Sequence, residues 1–214
     1  MRESDVLVVG GGSAGLAAAV AAARDGVGVV LVERGGFLGG MGSASLVQTF
    51  CGLYLLRGEP GAVIANPGLC DEIAARMEAA TGLGPVRMGR LDVLPQHPVE
   101  FVRMADAMVA AEPGIELMLH SELVAGGRDG DGWQFEVACR GGRQGVRATA
   151  VVDASGDAVC AAMLGGGTAR TPAAEQQRPA YVIGVGGVAG ELFLVCDKVS
   201  FLFFFFSSRR RHTR

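Results

Sequence analysis

The sequence has no C-x-x-C pair, no excess of basic residues and no long run of apolar residues beyond one alanine-rich stretch. Each absence removes a class of function. The five cysteines stand at 51, 70, 139, 160 and 196. An odd count at irregular spacing supports neither a disulfide framework nor a zinc site, so reduced thiols in a cytoplasm and no metal are expected. Nineteen Lys and Arg against 22 Asp and Glu leave a net charge of −3. That balance offers no broad field for nucleic acid or for an anionic membrane, and neither partner is expected. Only Met1 to Asp5 precede the first apolar run, without the basic and apolar regions of a secretory signal. Nothing else approaches the roughly 18 charge-free apolar residues of a membrane span, and the glycines of the alanine-rich stretch argue for a soluble fold. No internal repeat is visible.

Glycine is abundant instead, with 34 residues, and half of the 214 residues are hydrophobic. The length suits one large domain, or one and a fraction. Val6 to Val9 is an unbroken, mostly β-branched run, as a parallel strand buried on both faces requires. It leads into Gly10-Gly11-Gly12-Ser13-Ala14-Gly15, which fits G-x-G-x-x-G at Gly10, Gly12 and Gly15. In that pattern the first glycine allows a tight turn. The second lets a phosphate approach the backbone, and the third lets the following helix lie close to the strand. Leu16 to Arg24 is rich in alanine, the best helix former, and Gly26 suits the C-terminal cap. The helix start would turn free N–H groups and positive dipole toward a pyrophosphate. Gly28 to Val32 reads as the second strand and ends at Glu33. This acid lies 18 residues beyond Gly15, near the roughly 20 expected of a carboxylate that binds ribose hydroxyls. Strand, glycine turn, helix, strand and acid together point to a dinucleotide.

Further along, Arg34 to Ser43 holds a second glycine cluster, and an irregular apolar stretch follows from Ala44 to Leu56. Asn66-Pro67 suits a helix start, with Leu69, Ile73, Met77 and Ala80 on one face as far as about Thr81. Residues 85–98 read as extended or loop-like. Val99 to Ala111 reads as a helix with Phe101, Met104 or Ala105, and Met108 on one side, stopped by Pro113-Gly114. Strands are expected at 115–119, 123–126, 133–140 and 145–150. The run Val151-Val152-Asp153-Ala154-Ser155-Gly156-Asp157 then reads as a return to the parallel sheet, at whose strand ends ligands sit.

The opening unit, the Gly39-Gly40-Met41 cluster and the Val151–Asp157 run resemble the FAD-dependent oxidoreductases of the glutathione-reductase-like superfamily, from about residue 4 to about 190. The resemblance implies an α/β fold: a Rossmann-like FAD-binding domain with a parallel central sheet plus a small antiparallel β-meander. The FAD-binding domain would span 1–170, with a helical insertion at about 57–112 and the meander at about 115–150. Residues 171–192 would begin a truncated substrate domain. It implies FAD as cofactor and a small-molecule substrate. Gly10, Gly12, Ser13, Ala14 and Gly15 would surround the pyrophosphate, and Glu33 the adenosine ribose, with Arg34 beside it. Gly39, Gly40 and Met41 would lie along the pyrophosphate and flavin. Val124 matches the residue whose backbone meets the adenine. Ala154, Ser155 and Gly156 would contact the cofactor, with Asp157 close by. Members of this group close the FAD site with a late Gly-Asp segment, which these residues do not include.

Residues 193–214, with Phe203 to Phe206 and Arg209 to Arg211, are expected to be a non-native tail resembling translated adapter read-through. The phenylalanine run is far shorter than the roughly 20 residues of a membrane anchor. As a fragment the chain is expected to be inactive alone. Two rival readings remain for the parent protein: an NAD-binding dehydrogenase, since Glu33 suits either ribose, and a tRNA-modifying relative. Cys51 is expected to be a buried, inert thiol, His97 a loop residue and His120 structural. Tyr54 and Arg57 are candidate substrate contacts, and no residue is assigned as catalytic acid or base.

Overall fold

A computed structural model describes residues 1–58 and 61–176. The expected tail and residues 177–192 of the expected substrate-domain start lie outside the described residues. The chain opens with β1 (Arg2–Val9), α1 (Ser13–Arg24) and β2 (Val29–Val32). All four residues of β2 are buried, and Leu7 and Val8 of β1 have no exposed surface. Each such aliphatic side chain contributes roughly 1.5–3 kcal/mol when fully buried. In α1, Leu16, Ala19 and Val20 form the inward stripe at i, i+3 and i+4. The helix ends as its glycine predicts. Gly26 has φ +82°, its N–H bonds to Ala23 O and that of Val27 to Ala22 O, the paired bonds of a Schellman cap.

The short strand β3 (Thr49–Phe50) comes next, then α2 (Leu69–Thr81), β4 (Val86–Met88), β5 (Leu91–Pro95) and α3 (Pro98–Ala110). Two details differ from expectation. The N-cap of α2 is Gly68, not Asn66, because the Asp71 carboxylate reaches back to accept the Gly68 N–H at 2.5 Å. The stretch 85–98 forms a β4–β5 hairpin that joins β3 in a small antiparallel sheet of order β3-β5-β4, so the region 57–112 is not purely helical.

The chain then runs through β6 (Ile115–Met118), β7 (Glu122–Asp129), β8 (Gly132–Cys139), β9 (Gly142–Asp153) and the five-residue α4 (Val159–Met163). The main sheet has the order β6-β2-β1-β9-β8-β7. Strands β6, β2, β1 and β9 are parallel, and β7 and β8 continue the sheet as an antiparallel ribbon. The two strands expected at 145–150 and from 151 are one. β9 is long enough to pair with β8 through its first half and with β1 from Val146 to Asp153.

Each face of this sheet has its own core. Val8, Val29 and Leu31 pack with α1, α2 and α3 through Leu16, Met77, Phe101 and Met108. Leu7, Val9, Val30 and Val32 pack with the ribbon residues Leu123, Phe135 and Val137, with Val146 of β9 and with Cys160 of α4. The α/β class with a mainly parallel central sheet and an antiparallel meander is thus realised. No helix among the described residues is long and apolar enough to cross a membrane.

Candidate functional site

The carboxyl ends of β1, β2 and β9 lie side by side. The N–H of Gly10 bonds to Val32 O at 2.8 Å, and that of Ala154 to Val9 O at 2.8 Å. From β1 the chain leaves toward β2 on one side, while β9 lies on the other. This is the switch point at which open α/β sheets leave a crevice. Gly10 has φ +99°, and a Cβ there would stand 2.5 Å from Ala154 O. At Gly15 a Cβ would stand 1.7 Å from Gly10 O. Both glycines are therefore required by the protein's own backbone.

Gly12 differs from both. It is the N-cap of α1 with φ −72°, a conformation open to any residue, and a Cβ there would meet nothing nearer than 3.8 Å. Ser13 and Ala14 beside it are exposed. No side chain caps the helix, and its first turn holds no acidic residue. The uncapped N–H groups and the dipole of a twelve-residue helix thus face open space, where an anion is favoured.

Glu33 stands beside the turn. One carboxylate oxygen accepts the Gly11 N–H at 2.7 Å, and the other the Gly35 N–H at 2.5 Å. The acid is half-buried and held in a fixed orientation, and each oxygen keeps a free lone pair for a further donor. Arg34 is exposed next to it.

The second glycine cluster packs directly on the first. The Gly39 N–H bonds to Gly11 O at 2.9 Å, and Gly39 and Gly12 form a parallel β-bridge. Gly39 and Gly40 have φ +109° and +55°, and Gly40 opens a single 3-10 turn, Gly40–Gly42. Met41 projects from this turn with 73% of its surface exposed. The Ser43 hydroxyl donates to Leu38 O at 2.8 Å and lies 3.2 Å from Gly40 O. Behind the loop is a side chain not singled out in the sequence, Gln96, which follows β5 and is 1% exposed. Its amide nitrogen donates to Gly42 O at 2.7 Å and to Val47 O. Its Oε1 is buried without a partner among the described residues, a state that costs about 1–3 kcal/mol.

At the end of β9, Asp153 organises the turn into α4. Its Oδ1 accepts the Ser155 hydroxyl at 2.6 Å and the Ser155 N–H at 3.1 Å, and its Oδ2 accepts the Ala161 N–H at 2.8 Å. Burial pushes this carboxyl up, but these bonds from Ser155 and from the backbone outweigh it and hold the group below its ordinary value. The same burial, with the Asp153 charge nearby, lifts the Cys160 thiol to about 11. Gly156 takes φ +84°, and Asp157 is exposed beside it.

A cavity opens between these strand ends, lined by Gly10, Glu33, Arg34, Leu123, Ser155 and Asp157. Val124 does not line it. It falls at an irregularity of the β7–β8 ladder, between the paired residues Leu123 and Ala125, and so stands outside the register. Two larger depressions, one over the ribbon at Gln134 and Gln144 and one around Ser4, Asp5 and Arg147, contain none of these residues.

The structure thus gathers Gly10, Gly12, Gly15, Glu33, Gly39, Gly40, Ala154 and Ser155 at one crevice. It does not bring Tyr54 or Arg57 into that cavity. Tyr54 is buried in the helical core, where burial and then the charges of Glu78 and Asp92 push its hydroxyl up. Cys51 is exposed rather than buried: Phe50, Leu53 and Tyr54 of its apolar segment pack on the core and Cys51 does not. His97 is the exposed N-cap of α3. His120 holds φ +50° in the β6–β7 turn, where its N–H bonds to Gly35 O and its ring lies over Gly36. The asparagine-like backbone of His120 and the distant partners of Gln96 have no signature in a linear pattern.

Comparison with known proteins agrees with this geometry. The family described as FAD dependent oxidoreductase matches residues 5–200. No curated protein matches the chain. Among solved structures, BexE, studied for oxidation during BE-7585A biosynthesis, superposes with a TM-score of 0.56 at 22% identity, over 78% of this chain and 35% of its own. The p-nitrophenol 4-monooxygenase PnpA from Pseudomonas putida DLL-E4 gives 0.54 at 17% identity, over 76% and 44%. The OxyS anhydrotetracycline hydroxylase from Streptomyces rimosus gives 0.50 at 18%, over 71% and 31%. At these identities the likeness is one of fold, and this chain spans less than half the length of each.

Proposed function

Because the chain belongs to the FAD dependent oxidoreductase family, its cofactor is FAD, and we propose that it forms the FAD-binding part of a flavoenzyme of the glutathione-reductase-like kind. That part comprises residues 1–170, and residues 171–192 begin a substrate domain. The observation that carries the reading is Gly12, a glycine that neither backbone strain nor packing within the protein requires. Its missing Cβ reserves space for something outside the chain, at the uncapped start of a helix. A diphosphate is the group that fits such a cradle.

The residues present fit FAD. Gly12, Ser13 and Ala14 would offer N–H groups to the pyrophosphate, while Gly10 and Gly15 shape the turn. Glu33, already oriented by two backbone donors, would accept from the adenosine ribose, with Arg34 at the rim. The Gly39-Gly40-Met41 loop would run along the pyrophosphate toward the flavin. Ala154, Ser155, Gly156 and Asp157 would border the cofactor where β9 ends, and Val124 would meet the adenine through a backbone freed from the ladder. When bound, the flavin supplies the redox chemistry, accepting or giving a hydride in exchange with a small organic substrate. This chain's part is to bind, to orient and to exclude water.

The test is titration of the purified protein with FAD and, in parallel, with NADH, followed by visible absorbance and flavin fluorescence. Saturable FAD binding with no competition from NADH is expected. Absence of retained flavin after FAD is added overturns the reading.

A further inference from the structure

The loop that would carry the flavin side of the site is not shaped by its own sequence alone. Gly39 and Gly40 hold positive φ, and Leu46 holds φ +56°, a strained value for a branched residue. The loop closes on itself through Ala44 N–H to Gly40 O and Val47 N–H to Met41 O. Two carbonyls of this closed loop, Gly42 O and Val47 O, turn inward and meet the same group, the Gln96 amide nitrogen. Those two acceptors fix the amide's orientation, since a flipped amide would set its oxygen against both of them. Gln96 is held in turn: its own N–H bonds to Gln48 O at 2.9 Å, which extends the β3–β5 pairing up to the loop's end.

We propose that Gln96 is a positioning residue for FAD. It clamps the loop from Gly42 to Val47 in the shape that sets Gly39-Gly40-Met41 against the Gly12 cradle. The inference rests on the FAD-binding reading above. Gln96 has no surface through which to touch a ligand in solution and acts through the loop. Both hydrogen bonds of the side chain run through its donors, while its Oε1 has no partner among the described residues. A residue chosen for packing alone at a site 1% exposed would be apolar.

The decisive variant is Gln96→Met, which keeps the length and volume of the side chain and removes both donors. FAD affinity is read by fluorescence titration, and backbone order by amide hydrogen exchange of the FAD-free protein. The folded variant is expected to bind FAD about tenfold more weakly, because a looser loop must be ordered on binding. Exchange is expected to quicken in residues 39–47 while that of residues 10–20 stays as in the parent. Wild-type affinity in the folded variant, or exchange that rises evenly along the chain, overturns the proposal. Should Gln96→Met not fold, Gln96→Asn, one methylene too short to span both carbonyls, is judged by the same two readouts. Should the unaltered protein take up no FAD, the earlier reading falls, and the exchange arm alone decides whether Gln96 is the clamp.

Discussion

The Gly10–Gly15 turn and the Gly39–Val47 loop lie against each other, yet they are built in different ways. The turn is local. Its shape follows from a strand, three glycines and a helix that are consecutive in the chain, and its tight contact, Gly15 against Gly10 O, spans five residues. The loop is imposed from a distance. A Cβ at Gly42 would meet the Phe101 ring at 2.6 Å, Gln96 bonds two of the loop's carbonyls, and the Gly39 N–H is taken by Gly11. One half of a cofactor cradle can therefore be carried as a portable sequence pattern. The other half depends on contacts from an α-helix and a hairpin about 50 residues later in the chain.

The difference can be broken most severely at the turn. Gly15→Val places a Cβ 1.7 Å from a backbone oxygen that cannot move without shifting β1. Overpacking of this kind should lower unfolding free energy by about 3 kcal/mol, read by chemical denaturation. Glu33→Gln should have the next largest effect. It replaces one carboxylate oxygen by an amide nitrogen that cannot accept the Gly11 or Gly35 N–H, at about 1–2 kcal/mol by the same measurement. Ser43→Ala addresses the loop. It removes the hydroxyl bonded to Leu38 O, should destabilise by about 1 kcal/mol, and should leave the turn unaltered by hydrogen exchange. The smallest effect is the acid limb. Asp153 has a folded value below its ordinary 3.8. Its contribution is therefore complete above pH 3.8 and lost as pH falls through the depressed value. Asp153→Asn should flatten stability against pH in that window, measured as unfolding midpoints, and leave the limb around neutral pH unchanged.

The same contrast explains what could be read from the sequence. The strand run of Val6 to Val9, the glycine spacing, the alanine-rich helix and Glu33 are all visible because their partners are near in the chain, and the structure places them as that pattern implies. The face of α3 was likewise legible from periodicity, and that of α2 in part: Met77 is buried as expected, but Ala80 is exposed and Ala74 turns inward instead. What escaped depends on long-range pairing. The hairpin of residues 86–95 is joined to β3 because Leu94 and Pro95 pair with Phe50 and Thr49, a match across about 45 residues that no local pattern encodes. The joining of two strands into β9 follows from β1 and β8 both finding edges on it. Cys51 lies outside the core although its neighbours are apolar, because an irregular segment has no period from which an inward face could be inferred. Gln96 lies in a stretch that reads only as extended or loop-like, and its carbonyl partners stand 49 and 54 residues earlier in the chain.

The most direct measurement concerns Gly12, the glycine of the Gly10–Gly15 turn with no structural reason of its own. Gly12→Ala places a methyl group where nothing of the protein lies within 3.8 Å. The reading of the site predicts an unfolding free energy within about 1 kcal/mol of the parent, with a gain rather than a loss if the unfolded chain is the more restricted. It also predicts FAD binding weakened by about a hundredfold in titration, equivalent to about 2.7 kcal/mol. Equal FAD affinity in a variant of equal stability would contradict the assignment of this crevice as the cofactor's cradle.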